Sequence, residues 1–218
     1  MTIDQIRELV RIGISAGVES TDSVLDDAAI EAMINDKRAT IISTFLSQSK
    51  ANRLSESWVQ HVYFNCGLNP YQCKDTVVFE CPRAIHINNE LDGFVYVGNV
   101  NGIEPFTRLK TSFMNLSMLD SMSSKKRLLW YPDTDSVGNH GIVIRGNKFL
   151  EKIKISLIAS NPMEVPSFRR DVDNYPVDAH VRDLLVDEVC NSFLKKLRGR
   201  TPDLTPDFTD TLAKKVNR

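Results

Sequence analysis

Between residues 23 and 53 the chain contains neither proline nor glycine. No other feature narrows its fold so much. Nothing in that stretch removes a backbone donor or loosens the backbone, so one long helix meets no local obstacle. Ile30, Ile34, Ile41 and Phe45 recur at helical spacing and give an apolar stripe as far as about Gln48. Ser20, Thr21, Asp22 and Ser23 offer side-chain oxygens to the first free N–H groups. Lys37 and Arg38 interrupt the stripe and are expected as solvated or interface charges. A shorter helix precedes this one. Thr2 and Gln5 have capping-box spacing, Ile3, Ile6, Leu9, Val10 and Ile14 define one face, and Gly17 suits the stop.

The character changes at Trp58. Runs rich in Val, Ile, Phe, Tyr and Trp at 58–66, 76–81, 94–97, 127–131, 141–145 and 152–158 read as strands. Asn69-Pro70, Asp92-Gly93, Asn101-Gly102 and Gly146-Asn147 mark turns between them. Lys152, Ile153, Lys154, Ile155 and Ser156 alternate as a half-exposed strand does. Phe113, Met114, Leu116, Met118 and Leu119 suggest a short inserted helix near 111–122. Helical spacing returns with Val181, Leu184, Leu185, Val189 and Leu197. Asp178 stands at the cap position, Lys195, Lys196 and Arg198 in the last turn, and Gly199 at the end.

A tail follows, with Thr201-Pro202-Asp203-Leu204 echoed by Thr205-Pro206-Asp207-Phe208. Leu204, Phe208 and Leu212 are spaced as docking anchors for a partner, and the segment carries too little apolar surface to fold alone.

These signals predict an α+β protein. N- and C-terminal helices pack as a small bundle, a central antiparallel β-sandwich or barrel lies between them, and an extended C-terminal arm follows. The expected divisions are N-terminal helices over 1–57, a β-rich domain over 58–160, a linker and C-terminal helix over 161–199, and a flexible arm over 200–218. With 218 residues and 42% hydrophobic content, a core of ordinary size is within reach. A net charge of -1 supplies no global attraction to nucleic acid or anionic lipid. No apolar run approaches the ~20 residues of a membrane span. The first residues lack the pattern of a secretory signal, so the expectation is a soluble chain made in a cytoplasm, with Cys66, Cys73, Cys81 and Cys190 as thiols.

Chemistry is sparsely signalled. There is no GxSxG, Walker loop, HExxH or GxGxxG motif, and the expectation is no enzyme and no cofactor. The strongest metal candidate is Cys66, Cys73, Cys81 and His86. Structural zinc sites use tight cysteine pairs, and none occurs here, so buried thiols are the favoured reading. His61, His86, His140 and His180 are dispersed and read as structural. Arg169-Arg170 and Lys195-Lys196-Leu197-Arg198 are basic clusters. Phosphate contact is weighed against a solvated face and a helix-end pattern, and the latter is preferred.

The order of features resembles the head-to-tail connector, or ring, proteins of crAss-like tailed phages. The resemblance rests on the helix with Arg38, the Trp-led strand with cysteine and proline turns over 58–82, and the aromatic hairpin at 94–102. It also rests on Ile158-Ala159-Ser160-Asn161-Pro162-Met163-Glu164-Val165-Pro166-Ser167-Phe168 and on Tyr175-Pro176-Val177-Asp178. It covers the chain to about Arg198. It implies a structural virion protein in the phage neck. About twelve copies would form a ring on the portal protein, extend the channel for packaged DNA without reading its sequence, and seat the next tail or ring protein. The rival reading is a tail-associated enzyme, or a nucleic-acid-binding or metal-binding module.

Overall fold

The computed structural model describes residues 1–16, 26–48, 54–65, 76–88, 92–109, 128–134, 138, 140–145 and 152–199. Helix α1 (Ile3–Ala16) opens on the expected capping box. Thr2 N–H donates to Gln5 Oε1 at 3.0 Å, and Gln5 N–H to Thr2 Oγ1 at 3.5 Å. It buries Ile3, Ile6, Val10 and Ile14, and Leu9 faces solvent instead of joining the stripe. Helix α2 (Asp27–Gln48) has Asp26 before its first residue, and that carboxylate accepts Ala28 N–H at 3.1 Å. Helix α3 (Ala179–Gly199) buries Val181, Leu185, Val189, Cys190 and Phe193, and Leu184 points outward. The three helices pack on one another and share a core with Trp58, Ile85, Ile158 and Tyr175. Gly13 permits the close approach of α1 and α3, since a Cβ there would stand 2.7 Å from Cys190 Sγ.

Two sheets account for the strands. Strands β1 (Gln60–Asn65), β7 (Lys152–Leu157) and β3 (Phe94–Asn99) form a three-stranded sheet in the order β1-β7-β3, antiparallel throughout. Strands β2 (Thr76–Glu80), β6 (His140–Arg145), β5 (Leu129–Thr134) and β4 (Thr107–Arg108) form the second, in the order β2-β6-β5-β4. Here β4 lies parallel to β5, so the expectation of wholly antiparallel pairing is corrected at this edge. The described residues form two separate sheets and no closed barrel.

Alternation decides which side chains face inward. Val62, Val97, Ile153 and Ile155 from the first sheet and Val77, Phe79, Trp130, Ile142 and Ile144 from the second belong to one apolar cluster. Trp58, expected to lead the first strand, belongs to the helical core; it closes a short turn over Glu56–Trp58, and β1 starts at Gln60. The expected helix near 111–122 and the arm at 200–218 lie outside the described residues. No described helix is long and apolar enough to cross a membrane.

Candidate functional site

On α2 the residues Ile30, Ile34, Ile41 and Ile42 all face the core. Position 38 falls on the same face, four residues after Ile34, so helical geometry carries the Arg38 side chain inward with them. The guanidinium is 0% exposed. Its charge is met by backbone carbonyls from three separate parts of the chain. Nε donates to Pro176 O at 2.7 Å, Nη1 to Ala159 O at 2.8 Å, and Nη2 to Trp58 O at 3.4 Å. The Tyr175 ring lies 5.7 Å from the guanidinium carbon, within cation–π range. Burial pulls the Arg38 pKa down, and Tyr175 opposes that shift. The expectation that Arg38 is a solvated or interface charge is therefore overturned. A planar fork of donors suits three converging carbonyls where a point charge would not.

Neighbouring side chains complete the junction. Gln60 donates from Nε2 to Trp58 O at 2.7 Å and accepts Ala159 N–H on Oε1 at 2.9 Å, so one buried amide bridges the same two segments. Tyr175 donates its hydroxyl to Asn35 Oδ1 at 2.7 Å, and its N–H reaches Met1 O at 2.9 Å. Burial pushes the Tyr175 hydroxyl pKa well above its ordinary value. Ser55 donates to Asp178 Oδ1 at 2.7 Å, and Ser57 donates to the same oxygen. Asp178 thus ties the approach to β1 to the start of α3, and its backbone carbonyl receives the N–H groups of Val181 and Arg182. These contacts hold elements together.

The basic pair at Arg169-Arg170 divides. Arg170 binds Asp4 at 3.0 Å and also Glu31, and Arg169 pairs with Asp173 at 3.3 Å. Arg7 reaches Asp4 at 3.0 Å, Asp27 at 3.4 Å and Glu31 at 2.9 Å, and Arg11 joins Asp27. The result is a surface ion-pair network joining α1, α2 and the loop before α3, not a phosphate cradle.

Of the candidate metal ligands, Cys66 and Cys73 lie outside the described residues. Cys81 is buried, and His86 is exposed in a bridge with Asp92. Among the described residues no group of three or more His, Cys, Asp or Glu side chains is arranged to hold a metal. Cys81 N–H donates to His140 O at 3.0 Å, and both residues line an open cleft of about 500 Å³ with Glu80, Arg83 and Glu164. Burial pushes the Cys81 thiol up to about 12, so it is protonated at neutral pH and is a poor nucleophile. His140 Nδ1 pairs with Thr134 Oγ1 at 3.1 Å, and His61 Nδ1 with Ser156 Oγ at 2.9 Å. Burial, helped by Lys154, lowers the His61 pKa. His180 stands exposed at the start of α3. The expected partner anchors Leu204, Phe208 and Leu212 lie outside the described residues.

With this geometry in hand, comparison with known proteins adds no family: no family model matches the chain, and no curated protein matches it. Sequence reasoning missed Arg38 as the centre of the fold. The signal was its register on the apolar face, which its charge concealed.

Proposed function

We propose that this chain is a non-catalytic ring subunit of the head-to-tail connector of a tailed phage. In this reading, copies assemble on the portal protein, extend the DNA channel and seat the next tail or ring protein. The helices form the scaffold of the subunit, and the two sheets, packed as a sandwich, project from it. The reading rests on the resemblance, and one structural observation supports it. The phrases that carry the resemblance are far apart in sequence, yet Arg38, Trp58, Ala159 and Tyr175-Pro176 meet at a single guanidinium. Such residues behave as one structural unit, as a shared fold requires.

Immunogold labelling of intact particles of the encoding phage tests the reading. Label confined to the neck vertex is expected. Label on the capsid faces or tail fibres, or particles free of the chain, would refute it.

A further inference from the structure

The three-stranded sheet β1-β7-β3 has an inner and an outer face. Val62, Val97, Ile153 and Ile155 point into the apolar cluster. Alternation turns the residues between them to the opposite side. The register sets these in rows across the sheet. Tyr63 lies opposite Lys154, and Lys154 opposite Gly98; in the next row His61 and Tyr96 flank Ser156. Lys152 stands two residues from Lys154 on the same face of β7. Two lysines on the central strand therefore lie between tyrosines on the flanking strands, and no Asp or Glu occupies these rows.

Neither lysine has a carboxylate partner among the described residues. Lys154 Nζ instead lies 6.0 Å from the centre of the Tyr63 ring, at the outer limit of cation–π range. Its charge also reaches His61, whose pKa it helps burial to lower, so His61 stays neutral near pH 7 and the lysines carry the charge of this face.

The two rings are presented to solvent in different ways. Tyr63 is 58% exposed. Tyr96 is fixed: its hydroxyl oxygen lies 3.0 Å from Asn99 O and 3.1 Å from Glu104 O. The ring lies close over Gly98, where a Cβ would stand 2.6 Å from Tyr96 Cζ. Absence of a side chain at position 98 thus lets the ring lie along the sheet instead of standing off it. Glu104, the acid at this end of β3, has its carboxylate held by Asn99 Nδ2 at 2.7 Å.

Such a face suits a ligand that combines regular negative charge with flat rings, and single-stranded nucleic acid has both. Lys152 and Lys154 are ~7 Å apart along β7 by the rise of a strand, a spacing comparable to that of successive phosphates in an extended strand. An acidic peptide would meet the lysines but bring no base to stack. A duplex keeps its base faces inside its own stack and would leave the tyrosines unused.

We propose that the outer face of the β1-β7-β3 sheet binds single-stranded nucleic acid, with bases on Tyr63 and Tyr96 and phosphates on Lys152 and Lys154. Stacking and phosphate contacts serve any base, so the binding carries no strong sequence preference. The inference goes beyond the ring reading and does not rest on it.

The test is fluorescence anisotropy of the full chain with a labelled oligothymidylate of about 16 nucleotides at low salt. A dissociation constant on the order of 10⁻⁵ M is expected. Two phosphate contacts should give a slope of about −1.4 in log affinity against log salt. Lys152→Gln combined with Lys154→Gln should remove that slope, and Tyr63→Leu should weaken binding roughly tenfold while leaving the slope in place. Circular dichroism checks that each variant is folded. Should the double variant unfold, Lys152→Glu, at an exposed position, should alone weaken binding several-fold. Unlabelled duplex and polyglutamate should compete about tenfold less well than unlabelled oligothymidylate. No binding at low salt, equal competition by polyglutamate or by duplex, or full affinity in folded Tyr63→Leu would overturn the inference. Oligonucleotide binding by a chain that never joins the portal protein supports this inference and refutes the ring reading. A chain that joins the portal and ignores the oligonucleotide does the reverse.

Discussion

Replacing Arg38 with methionine removes the donors at the centre of the molecule and leaves their acceptors in place. Trp58 O keeps a partner, because Gln60 Nε2 stands 2.7 Å away. Pro176 O and Ala159 O lose the donors now 2.7 and 2.8 Å from them. A buried acceptor stranded in this way costs about 1–3 kcal/mol, so the two together cost about 2–6 kcal/mol. Methionine offsets part of this, since the folded state no longer has to desolvate a cation. The net loss is about 2–4 kcal/mol, a large fraction of the ~5–15 kcal/mol that holds a typical domain folded. For a chain of this size it lowers the melting temperature by about 4–16 °C. Arg38→Lys should restore only part of the loss, because one ammonium cannot reproduce a fork aimed at three carbonyls. Urea unfolding followed by circular dichroism measures both variants. Arg38→Met as stable as the parent chain, or more stable, would show that desolvation of the cation outweighs its carbonyl bonds, and the argument for a central tie would be wrong.

Three further outcomes are expected. Gly93→Ala should destabilise the fold by about 1–3 kcal/mol. Its Cβ would stand 2.7 Å from Ile158 O and 2.9 Å from Ile85 Cγ1, where the chain is pinned by Ile158 N–H on Gly93 O at 2.8 Å; unchanged thermal unfolding would contradict this. Stability should fall with alkali. Burial raises the Cys81 thiol from 9.0 to about 12 and also raises Tyr175, so the folded state holds protons that the unfolded state releases. The Cys81 contribution is fully present below pH 9 and is lost between pH 9 and about 12, at up to ~1.4 kcal/mol per pH unit per group. A urea midpoint that stays flat across that window would refute the assignment, as would rapid alkylation of native Cys81 at neutral pH. Phe208→Ala combined with Leu204→Ala should leave thermal unfolding unchanged and abolish assembly; a lowered melting temperature would put these side chains in the core of their own subunit.

The helices were legible because their signals are local. Freedom from proline and glycine around α2, the Thr2–Gln5 box and the isoleucine stripes need no knowledge of the rest of the fold. The six expected strands appear with ends shifted by a few residues, since alternation marks the middle of a strand better than its limits. The two-residue β4 was missed. Thr107 and Arg108 are too few to alternate, and their parallel pairing with β5 depends on chain path, which periodicity does not encode. Leu9 and Leu184 were counted inward from residue type and lie at the edge of their stripes. Arg38 was misread for the opposite reason: its position said core and its charge said surface. The three carbonyls that make position win come from residues 20 to 138 positions away, so no local window contains them. The thiol cluster depended on spatial convergence, and its members Cys66 and Cys73 fall outside the described residues.

Native mass spectrometry of the full chain mixed with the portal protein of the same phage decides whether it is the proposed ring subunit. One dominant complex of about twelve copies per portal ring is expected, with few partial rings between it and free chain, because in the proposed ring each bound copy would present the contact that holds the next. Free chain beside bare portal at every mixing ratio, or one or two copies per portal with no closure, would contradict it.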